Sequence, residues 1–343
     1  MPDLGKIDRE FFETHVRPRL GADRDDVRLG PTPGVDFGLL DVGDRAVAVA
    51  TDPVSILPPL GFERAGRFAL DVILADVAVS GLPPSHLAVS FSLPPGMTDG
   101  EFGAVWEGLH AEAADLGVSV VTGHTARYEG CSFPWVGGAT ALAVGDWADV
   151  IRPDGARPGD DLVVTNGPAV ETTGLLTTLF GDEIGLDPET LRTAQARLDE
   201  SSCVRDAMTA AAAGPVTAMH DATEGGLHGA FVEMAAGAGA KFEVDSDRVP
   251  VRPGVEATCA ALDVDPWTAT SSGSLVLTVD PAGTEALLAA LDERGTPAAR
   301  VGRVTDGEGV AVDGERVEAP SVDASWAAYS TLSTGSSTNP SST

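Results

Sequence analysis

Strand-like and helix-like segments alternate along this 343-residue chain, and the alternation restricts its fold more than any other feature of the sequence. Strands are predicted at residues 46–51, 86–93, 118–122, 162–165, 274–279 and 300–304, and a long apolar segment covers 135–144. Helices are predicted at residues 7–20, 63–80, 98–116, 170–180, 188–213, 226–236 and 282–294. This pattern indicates an α/β or α+β fold.

One segment divides the chain. Residues 152–161, RPDGARPGDD, are dense in proline, glycine and charge, as domain junctions often are. We therefore predict two domains, at residues 1–150 and 151–330. The Ser/Thr-rich residues 331–343 are predicted to be a disordered tail, because their composition offers little to anchor them.

The chain is strongly acidic, with 22 Lys and Arg against 52 Asp and Glu and a formal net charge of −30. Such a charge repels phosphate backbones and anionic lipid head groups, so nucleic acids and membrane surfaces are excluded as partners. Only Lys6 and Lys241 are lysines, and the acidic residues are spread along the whole chain. An evenly acidic, lysine-poor surface predicts adaptation to a salt-rich interior.

The sequence predicts a cytoplasmic protein. Its first residues, MPDLGKIDRE, lack an apolar leader core, and its most apolar run, 68–79, is interrupted by two aspartates. The three cysteines lie far apart and form no CxxC pair, so neither a disulfide framework nor a zinc knuckle is indicated.

The predicted helix around residues 67–81 is apolar on nearly every face and carries Asp71 and Asp76. A buried carboxylate is costly unless it is paired or bound to a cation. Arg67 stands four residues before Asp71 and offers it an ion pair. Asp76 is therefore the preferred metal-ligand candidate of this helix.

Two further clusters lie in the first half. Asp36 lies in a glycine-flanked loop, and Thr51 and Asp52 stand at the end of the strand over 46–51; both aspartates are also common turn formers. The segment 120–125, VVTGHT, predicts a strand that runs into a glycine turn whose amides approach phosphate. His124 in this turn is a candidate ligand or base, or a simple turn residue.

In the second half, residues 219–228 read MHDATEGGLH, with polar groups before a double glycine and an apolar helix. A helix N-terminus here would bind an anion, and Asp221 and Glu224 would hold the accompanying Mg²⁺, although a simple helix cap is the alternative. His220 and Glu224 with His124 would suit a zinc hydrolase instead, but HEXXH is absent. The loop containing Asn166, Gly167 and Glu171 is a weaker candidate for the acceptor substrate.

Six collinear segments between about residues 44 and 312 resemble one ATP-binding superfamily. They are DRAVAVATDPVSI, DVAVSGLPP, GVSVVTGHT, HDATEGGL, SSGSLVLTV and VGRVTDGEGV. The superfamily contains aminoimidazole ribonucleotide (AIR) synthetase (PurM), thiamine-monophosphate kinase, selenophosphate synthetase and the hydrogenase maturation factor HypE, and the chain resembles HypE most. The resemblance implies a PurM-like two-domain fold, with an N-terminal sheet that forms a β-barrel across a homodimer and a C-terminal α/β domain.

The resemblance also implies ATP and Mg²⁺ as cofactors and assigns residues to them. The implied metal ligands match the superfamily's acidic motif positions and are Asp36, Asp52, Asp76, Asp221 and Glu224. The implied nucleotide- or phosphate-binding residues match its TGDT loop, its STD strand and its glycine segment and are Thr51, Thr122, Gly123, Thr125, Gly225 and Gly226. Asp76 and His124 are the implied catalytic residues.

The chain departs from the superfamily pattern at several positions. His124 replaces the TGDT aspartate, and a neutral imidazole is a poor Mg²⁺ ligand. Glu224 and Ser272 stand where HypE carries an arginine and a glutamate. The sequence ends in Ser and Thr instead of the Pro-Arg-Ile-Cys tail of HypE, whose thiol is carbamoylated, so we do not expect HypE's own reaction in its known form.

The expected function is ATP- and Mg²⁺-dependent phosphorylation or activation of an oxygen of a small-molecule or protein substrate. The alternative from a different class is a catalytically inactive nucleotide-binding maturation or regulatory factor, which His124 and the missing terminal cysteine favour. A His/Asp metal hydrolase is a lesser alternative.

Overall fold

The predicted alternation is present in a computed structural model of the chain, which describes residues 5, 7, 9–32 and 34–336. These residues form two units. The N-unit comprises Arg24–Pro153 and Ser202–Ala212, and the C-unit comprises the described residues up to Asp23, Asp154–Ser201 and those from Ala213 onward. The change of unit after Pro153 falls inside the Pro- and Gly-rich segment that predicted the junction.

The N-unit contains a six-stranded sheet and three helices. Its strands are β1 (Val27–Leu29), β2 (Gly38–Val42), β3 (Arg45–Ser55), β4 (Pro84–Leu93), β5 (Ser119–Arg127) and β6 (Trp135–Gly145). Its helices are α2 (Phe62–Ala78), α3 (Asp99–Asp115) and α6 (Val204–Ala213), with 3₁₀ turns at Pro58–Leu60 and Trp147–Asp149. The strand order is β1-β2-β3-β6-β4-β5, and only β4 and β5 are parallel.

Helices α2 and α3 lie side by side because two glycines permit a close approach. A Cβ at Gly66 would lie 2.1 Å from the carbonyl oxygen of Val105, and one at Gly108 would lie 2.0 Å from that of Glu63. Helix α3 begins with the predicted N-cap, and Thr98 forms a capping box with Glu101. Helices α2 and α3 therefore pack closely as one layer, and α2 also contacts β3 and β6.

The C-unit contains a seven-stranded sheet. Its strands are β7 (Asp161–Thr165), β8 (Val216–Asp221), β9 (Lys241–Val244), β10 (Leu275–Val279), β11 (Ala298–Thr305), β12 (Gly309–Val312) and β13 (Glu315–Val317). The order is β13-β12-β9-β11-β7-β10-β8. The central strands β7 and β10 are buried along their whole length, so the core of this unit lies around them.

The helices of the C-unit are α1 (Arg9–Phe11), α4 (Val170–Ile184), α5 (Pro188–Gln195), α7 (Gly226–Ala238), α8 (Val255–Leu262), α9 (Thr284–Arg294) and α10 (Ala324–Ser336). Helix α1 continues as a π-helix, Phe12–Val16, and a 3₁₀ turn, Arg17–Arg19. Further 3₁₀ turns are Ala196–Glu200, Ser246–Arg248 and Pro266–Thr268. None of the helices in the described part of the chain combines the length and the apolar character needed to span a bilayer.

Two elements predicted in the second half of the chain differ from the structure. The single helix predicted over 188–213 is α5, a 3₁₀ turn and α6, and α6 lies in the N-unit because Arg205 forms ion pairs with Glu112 and Asp115 of α3. The tail predicted to be disordered from residue 331 is helical as far as Ser336, because Leu332 packs with Tyr329 against α4. Residues 337–343 of that predicted tail lie outside the described residues.

Candidate functional site

The predicted strand-end pair Thr51 and Asp52 lies inside β3 and not at its end. The strand continues to Ser55, because pairing with β6 extends through Asp52 opposite Ala139 and Pro53 opposite Gly138. The position predicted for this pair is therefore wrong. Both residues are held by pairing with β6 on one side of the strand, whereas the pairing of β3 with β2 ends at Val49.

The predicted glycine turn at Thr122–Thr125 is also wrong, because the whole segment belongs to β5. Gly123 lies opposite Val89 of β4, and His124 lies opposite Ser90. A Cβ at Gly123 would come within 2.6 Å of the Val89 carbonyl oxygen, so glycine here permits close strand packing. The backbone is extended and shows no phosphate cradle at this position.

The two predicted N-unit motifs share rows of one sheet. Thr51 lies opposite Thr140 of β6 with their hydroxyl oxygens 2.9 Å apart, Thr140 lies opposite Ala88 of β4, and Ala88 lies opposite Thr122 of β5. Three strand spacings separate β3 from β5, so Thr51 and Thr122 are about 14 Å apart. Both threonine side chains are exposed.

Adjacent residues of a strand point to opposite faces of the sheet. Thr122 and His124 therefore share one face, and Gly123 and Thr125 share the other, which splits the predicted phosphate loop between faces. His124 is exposed, and its Nε2 lies 3.1 Å from the hydroxyl oxygen of Tyr128. Strand β5 is an edge of the sheet and is exposed along almost its whole length.

The other acidic candidates of the N-unit lie outside the strands. Asp36 lies in the loop before β2 and Asp76 near the end of α2, and both are half-buried. Asp71 is 6% exposed, accepts a hydrogen bond from the Ser202 hydroxyl at 2.9 Å, and has the predicted partner Arg67 at 4.0 Å. Burial and the nearby Glu112 carboxylate raise the pKa of Asp71 to about 6.

In the C-unit, Asp221 ends β8 and is the most deeply buried of the candidate ligands, with 1% exposure. Neither of its carboxylate oxygens has a hydrogen-bond partner among the described residues. The His220 Nδ1 atom is 3.7 Å from Oδ1, beyond hydrogen-bond distance. A bound cation would stabilise a carboxylate in this position, because burial without a partner is costly.

His220 has its ring nitrogens engaged. Nδ1 lies 2.7 Å from the carbonyl oxygen of Asp221, and Nε2 lies 3.1 Å from Oε2 of Glu233. A metal ion bound to either ring nitrogen would have to displace one of these contacts.

The double glycine lies at the start of α7, with Gly225 as the N-cap and Gly226 as the first residue, but both amides are bonded within the C-unit. Gly225 N–H donates to Oδ2 of Asp323 at 2.7 Å, and Gly226 N–H donates to the carbonyl oxygen of Thr223 at 3.0 Å. Glu224 Oε1 accepts a hydrogen bond from the Trp326 indole at 3.2 Å. In this conformation, neither glycine amide is directed at a phosphate.

The weaker substrate candidates also lie in the C-unit. Asn166 Nδ2 donates to the Gly273 carbonyl at 2.8 Å, and the Gly167 carbonyl accepts from the Ser274 hydroxyl at 2.6 Å. Burial raises the pKa of Glu171 to about 7, hydrogen bonding to Ser272 opposes this effect, and the carboxylates of Asp323 and Glu224 add to it. Glu171 and Glu224 thus belong to one acidic cluster, whereas Asn166 and Gly167 fasten the loop to its neighbours.

Sequence reasoning missed Asp323 and Trp326, which contact the predicted Gly225 and Glu224. The signal was present: Asp323 is an N-cap-type residue, and Trp326, Tyr329 and Leu332 follow at the three-residue spacing of one helix face. The polar composition of the surrounding segment concealed it.

Comparison with protein families finds two matches. Residues 34–144 match the N-terminal domain of AIR synthase related protein, and residues 157–315 match its C-terminal domain. Together these two matches cover more than half of the chain.

Individual relatives agree with this. The chain is 28% identical over 312 residues to the carbamoyl dehydratase HypE of Escherichia coli K12, covering 90% of this chain and 89% of the relative. The solved structure of the hydrogenase maturation protein HypE in complex with ATP is similar in fold (TM-score 0.68, 23% identity, 94% and 97% coverage). The solved structure of AaThiL complexed with AMPPCP and TMP is also similar in fold, with a TM-score of 0.68 and 22% identity, covering 86% of this chain and 92% of that chain.

Proposed function

Because the chain belongs to the AIR synthase related protein family, we propose that it is an ATP- and Mg²⁺-dependent enzyme. Its reaction phosphorylates or activates an oxygen of a small-molecule or protein substrate. The fold shared with an ATP complex of HypE and with an AMPPCP complex of ThiL supports the nucleotide, and the relationship to HypE supports an enzyme.

The buried Asp221 carboxylate carries the proposal. Its oxygens have no hydrogen-bond partner among the described residues, and the side chain is 1% exposed, which fits a residue that binds a cation. Oxygen ligands are those that Mg²⁺ prefers, so the donor set also fits this metal. Asp221 is thus the proposed ligand with the most direct structural support.

The proposed metal ligands are Asp221 and Glu224 in the C-unit and Asp36, Asp52 and Asp76 in the N-unit. When bound, Mg²⁺ neutralises charge on the phosphates. The protein's own contribution is to hold these carboxylates on rigid elements: Asp52 within a paired strand and Asp76 on a helix that contacts the sheet.

The nucleotide contacts proposed for the N-unit are those of Thr51, Thr122, Gly123 and Thr125, with His124 donating to a phosphoryl oxygen or acting as base. Gly225 and Gly226 are proposed to contribute through the start of α7. Asn166, Gly167 and Glu171 are the proposed acceptor side, and Glu171 has a pKa near neutrality, which suits proton transfer.

We also propose that the protein acts as a homodimer. Strand β5 is an exposed edge, and its side chains Val120 and Val121 are 40% and 56% exposed. An exposed apolar edge strand is usually covered by another chain. Its backbone amides and carbonyls are suited to pairing with a second copy.

The test is release of phosphate from ATP in molar KCl. Wild type should release phosphate slowly without an acceptor, and Asp76→Asn should abolish the release. Asp25→Asn, an exposed aspartate of the same unit, is the matched control and should behave as wild type. Release that persists in Asp76→Asn would contradict the assigned role of Asp76 and, with it, this proposal.

A second candidate is a nucleotide-binding factor without turnover. The observation that favours it is His124, which occupies the family's aspartate position and whose ring contacts the Tyr128 hydroxyl. ATP binding without phosphate release in wild type, across a panel of acceptors, would support this candidate over the enzyme.

A further inference from the structure

Asp323, which directly precedes α10, and Trp326 in its first turn contact the segment that carries the proposed ligand Glu224. Asp323 bonds the Gly225 amide, and Trp326 bonds the Glu224 carboxylate, two contacts that link residues about a hundred positions apart in the chain. Both partners belong to the C-unit. The turn therefore controls the geometry of two adjacent residues of the proposed site.

Asp323 is fixed by several donors at once. Its Oδ2 accepts from Gly225 N–H at 2.7 Å and from the Thr270 hydroxyl at 3.0 Å, and its Oδ1 accepts from Ser325 N–H at 2.7 Å and from the Ser325 hydroxyl. The residue is 6% exposed. A buried carboxylate with this many donors is strongly held, so Asp323 acts as a fixed anchor for the amide of Gly225.

Trp326 has a different role, because an indole N–H can only donate. It donates to Oε1 of Glu224 at 3.2 Å. A Cβ at Gly5 would lie 3.2 Å from the indole nitrogen and 3.3 Å from Oε2 of Glu224, so a third segment covers the pair. The contact therefore orients the Glu224 carboxylate.

The rest of α10 keeps this turn in place. Ala328 is 8% exposed, and Tyr329 packs edge-on against Phe180 of α4 with ring centroids 5.8 Å apart. The rings of Trp326 and Tyr329 also meet at right angles, 6.1 Å apart. Because α10 is packed along one side, its first turn is held in a fixed position, as residues that position a ligand require.

We propose that Trp326 and Asp323 are positioning residues: Trp326 holds the Glu224 carboxylate in the geometry used for Mg²⁺, and Asp323 fixes the backbone at the adjacent Gly225. This inference rests on the proposed function, in which Glu224 is a Mg²⁺ ligand. It assigns to the segment after β13 a part in the site that the sequence did not predict.

The first test is the Mg²⁺ dependence of ATP binding in Trp326→Phe, measured by calorimetry at a series of Mg²⁺ concentrations. Phenylalanine keeps an aromatic ring and removes the N–H donor together with one ring of the indole. We expect the Mg²⁺ concentration for half-maximal ATP binding to rise about 10-fold, because partners that orient a ligand are worth at least this much in metal affinity. ATP affinity at saturating Mg²⁺ should change by less than about 2-fold.

The matched control is Tyr329→Phe on the same helix, which should leave the Mg²⁺ dependence unchanged. An unchanged dependence in Trp326→Phe would overturn the role of Trp326 while wild-type binding left the proposed function standing. Absence of ATP binding in wild type would contradict the proposed function and the inference together.

The second test needs no ligand. In the free protein, hydrogen exchange at the Gly225 amide should accelerate at least about 10-fold in Asp323→Ala, and Asp323→Asn, which keeps an acceptor oxygen and a good N-cap, should restore most of the protection. Amides of α9, remote in sequence, report whether the fold is intact. Unchanged exchange at Gly225 in a folded Asp323→Ala protein would overturn the role of Asp323.

Discussion

The two candidate regions of the molecule satisfy their polar groups in opposite ways. In the N-unit, the segment Thr122–Thr125 lies on an edge strand and is exposed along its length. In the C-unit, Asp221 is buried and the amides of Gly225 and Gly226 are bonded to neighbouring residues of the same unit. The first segment had been predicted as a glycine turn at the end of a strand, and the second as polar groups before a double glycine and an apolar helix.

The difference shows what each region still lacks. An exposed edge strand has unused backbone donors and acceptors, and the proposed homodimer would pair them with a second copy. The C-unit region has its amides satisfied, and its unsatisfied group is the Asp221 carboxylate, which calls for a cation. Substitutions on the edge strand β5 are thus expected to have the largest effects in the N-unit. In the C-unit, the largest effects are expected from substitutions that remove the charge of Asp221.

The largest effect is expected at the exposed edge. Val121→Lys places a charge on β5, and burying an unpaired charge against a partner chain costs several kcal/mol. Dissociation of the proposed homodimer should become roughly a thousandfold easier, as measured by sedimentation at several protein concentrations.

Val42→Lys is the matched control, because Val42 is a valine of similar exposure (53%) on strand β2 of the same sheet. It should leave the oligomeric state unchanged. An equal loss of the dimer in both variants, or no loss in Val121→Lys, would contradict the use of β5 as an interface.

The next prediction concerns Asp71, a buried carboxylate of the N-unit that, unlike Asp221, accepts a hydrogen bond from another described residue. Asp71 has donors, but burial raises its pKa to about 6, so its ionised form is disfavoured in the folded protein. A carboxyl group with a raised pKa stabilises the fold below its unfolded pKa, and this contribution is lost as the pH rises through the folded value. The loss amounts to about 3 kcal/mol.

Asp71→Asn does not titrate, and its amide oxygen still accepts from Ser202. Urea unfolding at pH 4, 6 and 7.5 should therefore show the variant gaining stability relative to wild type as the pH rises. Asp25→Asn should show no such trend. If the difference in unfolding free energy between the variant and wild type does not change with pH, folding does not raise the pKa of Asp71.

A smaller effect tests whether Thr122–Thr125 is a strand. A Cβ at position 123 would lie 2.6 Å from the Val89 carbonyl, so Gly123→Ala should lower the free energy of unfolding by about 2 kcal/mol. Thr122→Ala, at an exposed neighbouring position, should cost far less. Equal effects of the two substitutions in urea unfolding would indicate a loop at this position.

The smallest effect concerns the residue that departs from the family. His124→Asp replaces an imidazole with the oxygen ligand that Mg²⁺ prefers and should lower the Mg²⁺ concentration needed for ATP binding about 5-fold. Tyr128→Phe, which removes only the hydroxyl that contacts His124, serves as the comparison. A higher Mg²⁺ requirement in His124→Asp would show that the imidazole is itself the functional group.

The sequence predicted those elements whose signals are local. The apolar periodicity of α2, the Thr98 cap of α3 and the apolar run of β6 each depend on neighbours within a few residues, and each lies near its predicted position. The extension of β5 through Gly123 was not predictable in this way, because it depends on pairing with β4, which lies more than thirty residues earlier.

The candidate sites show the same limit. Asp76 was identifiable from its apolar surroundings and Asp221 from its place before the double glycine, but the 1% exposure of Asp221 was not predictable. The assignment of α6 to the N-unit depends on Arg205 meeting Glu112, 93 residues away. The role of Asp323 depends on a contact 98 residues away in the chain, with Gly225. Local patterns carry no information about such contacts.

The most direct test of the central claim is calorimetric titration of MgATP into wild type and Asp221→Asn in molar KCl. Asp292→Asn, which alters an exposed aspartate of the same unit, is the control. The account predicts saturable binding to wild type and to the control, weakened at least about 100-fold in Asp221→Asn. Equal binding by all three proteins would contradict the role of Asp221, and no binding to folded wild type would contradict the ATP-dependent function itself.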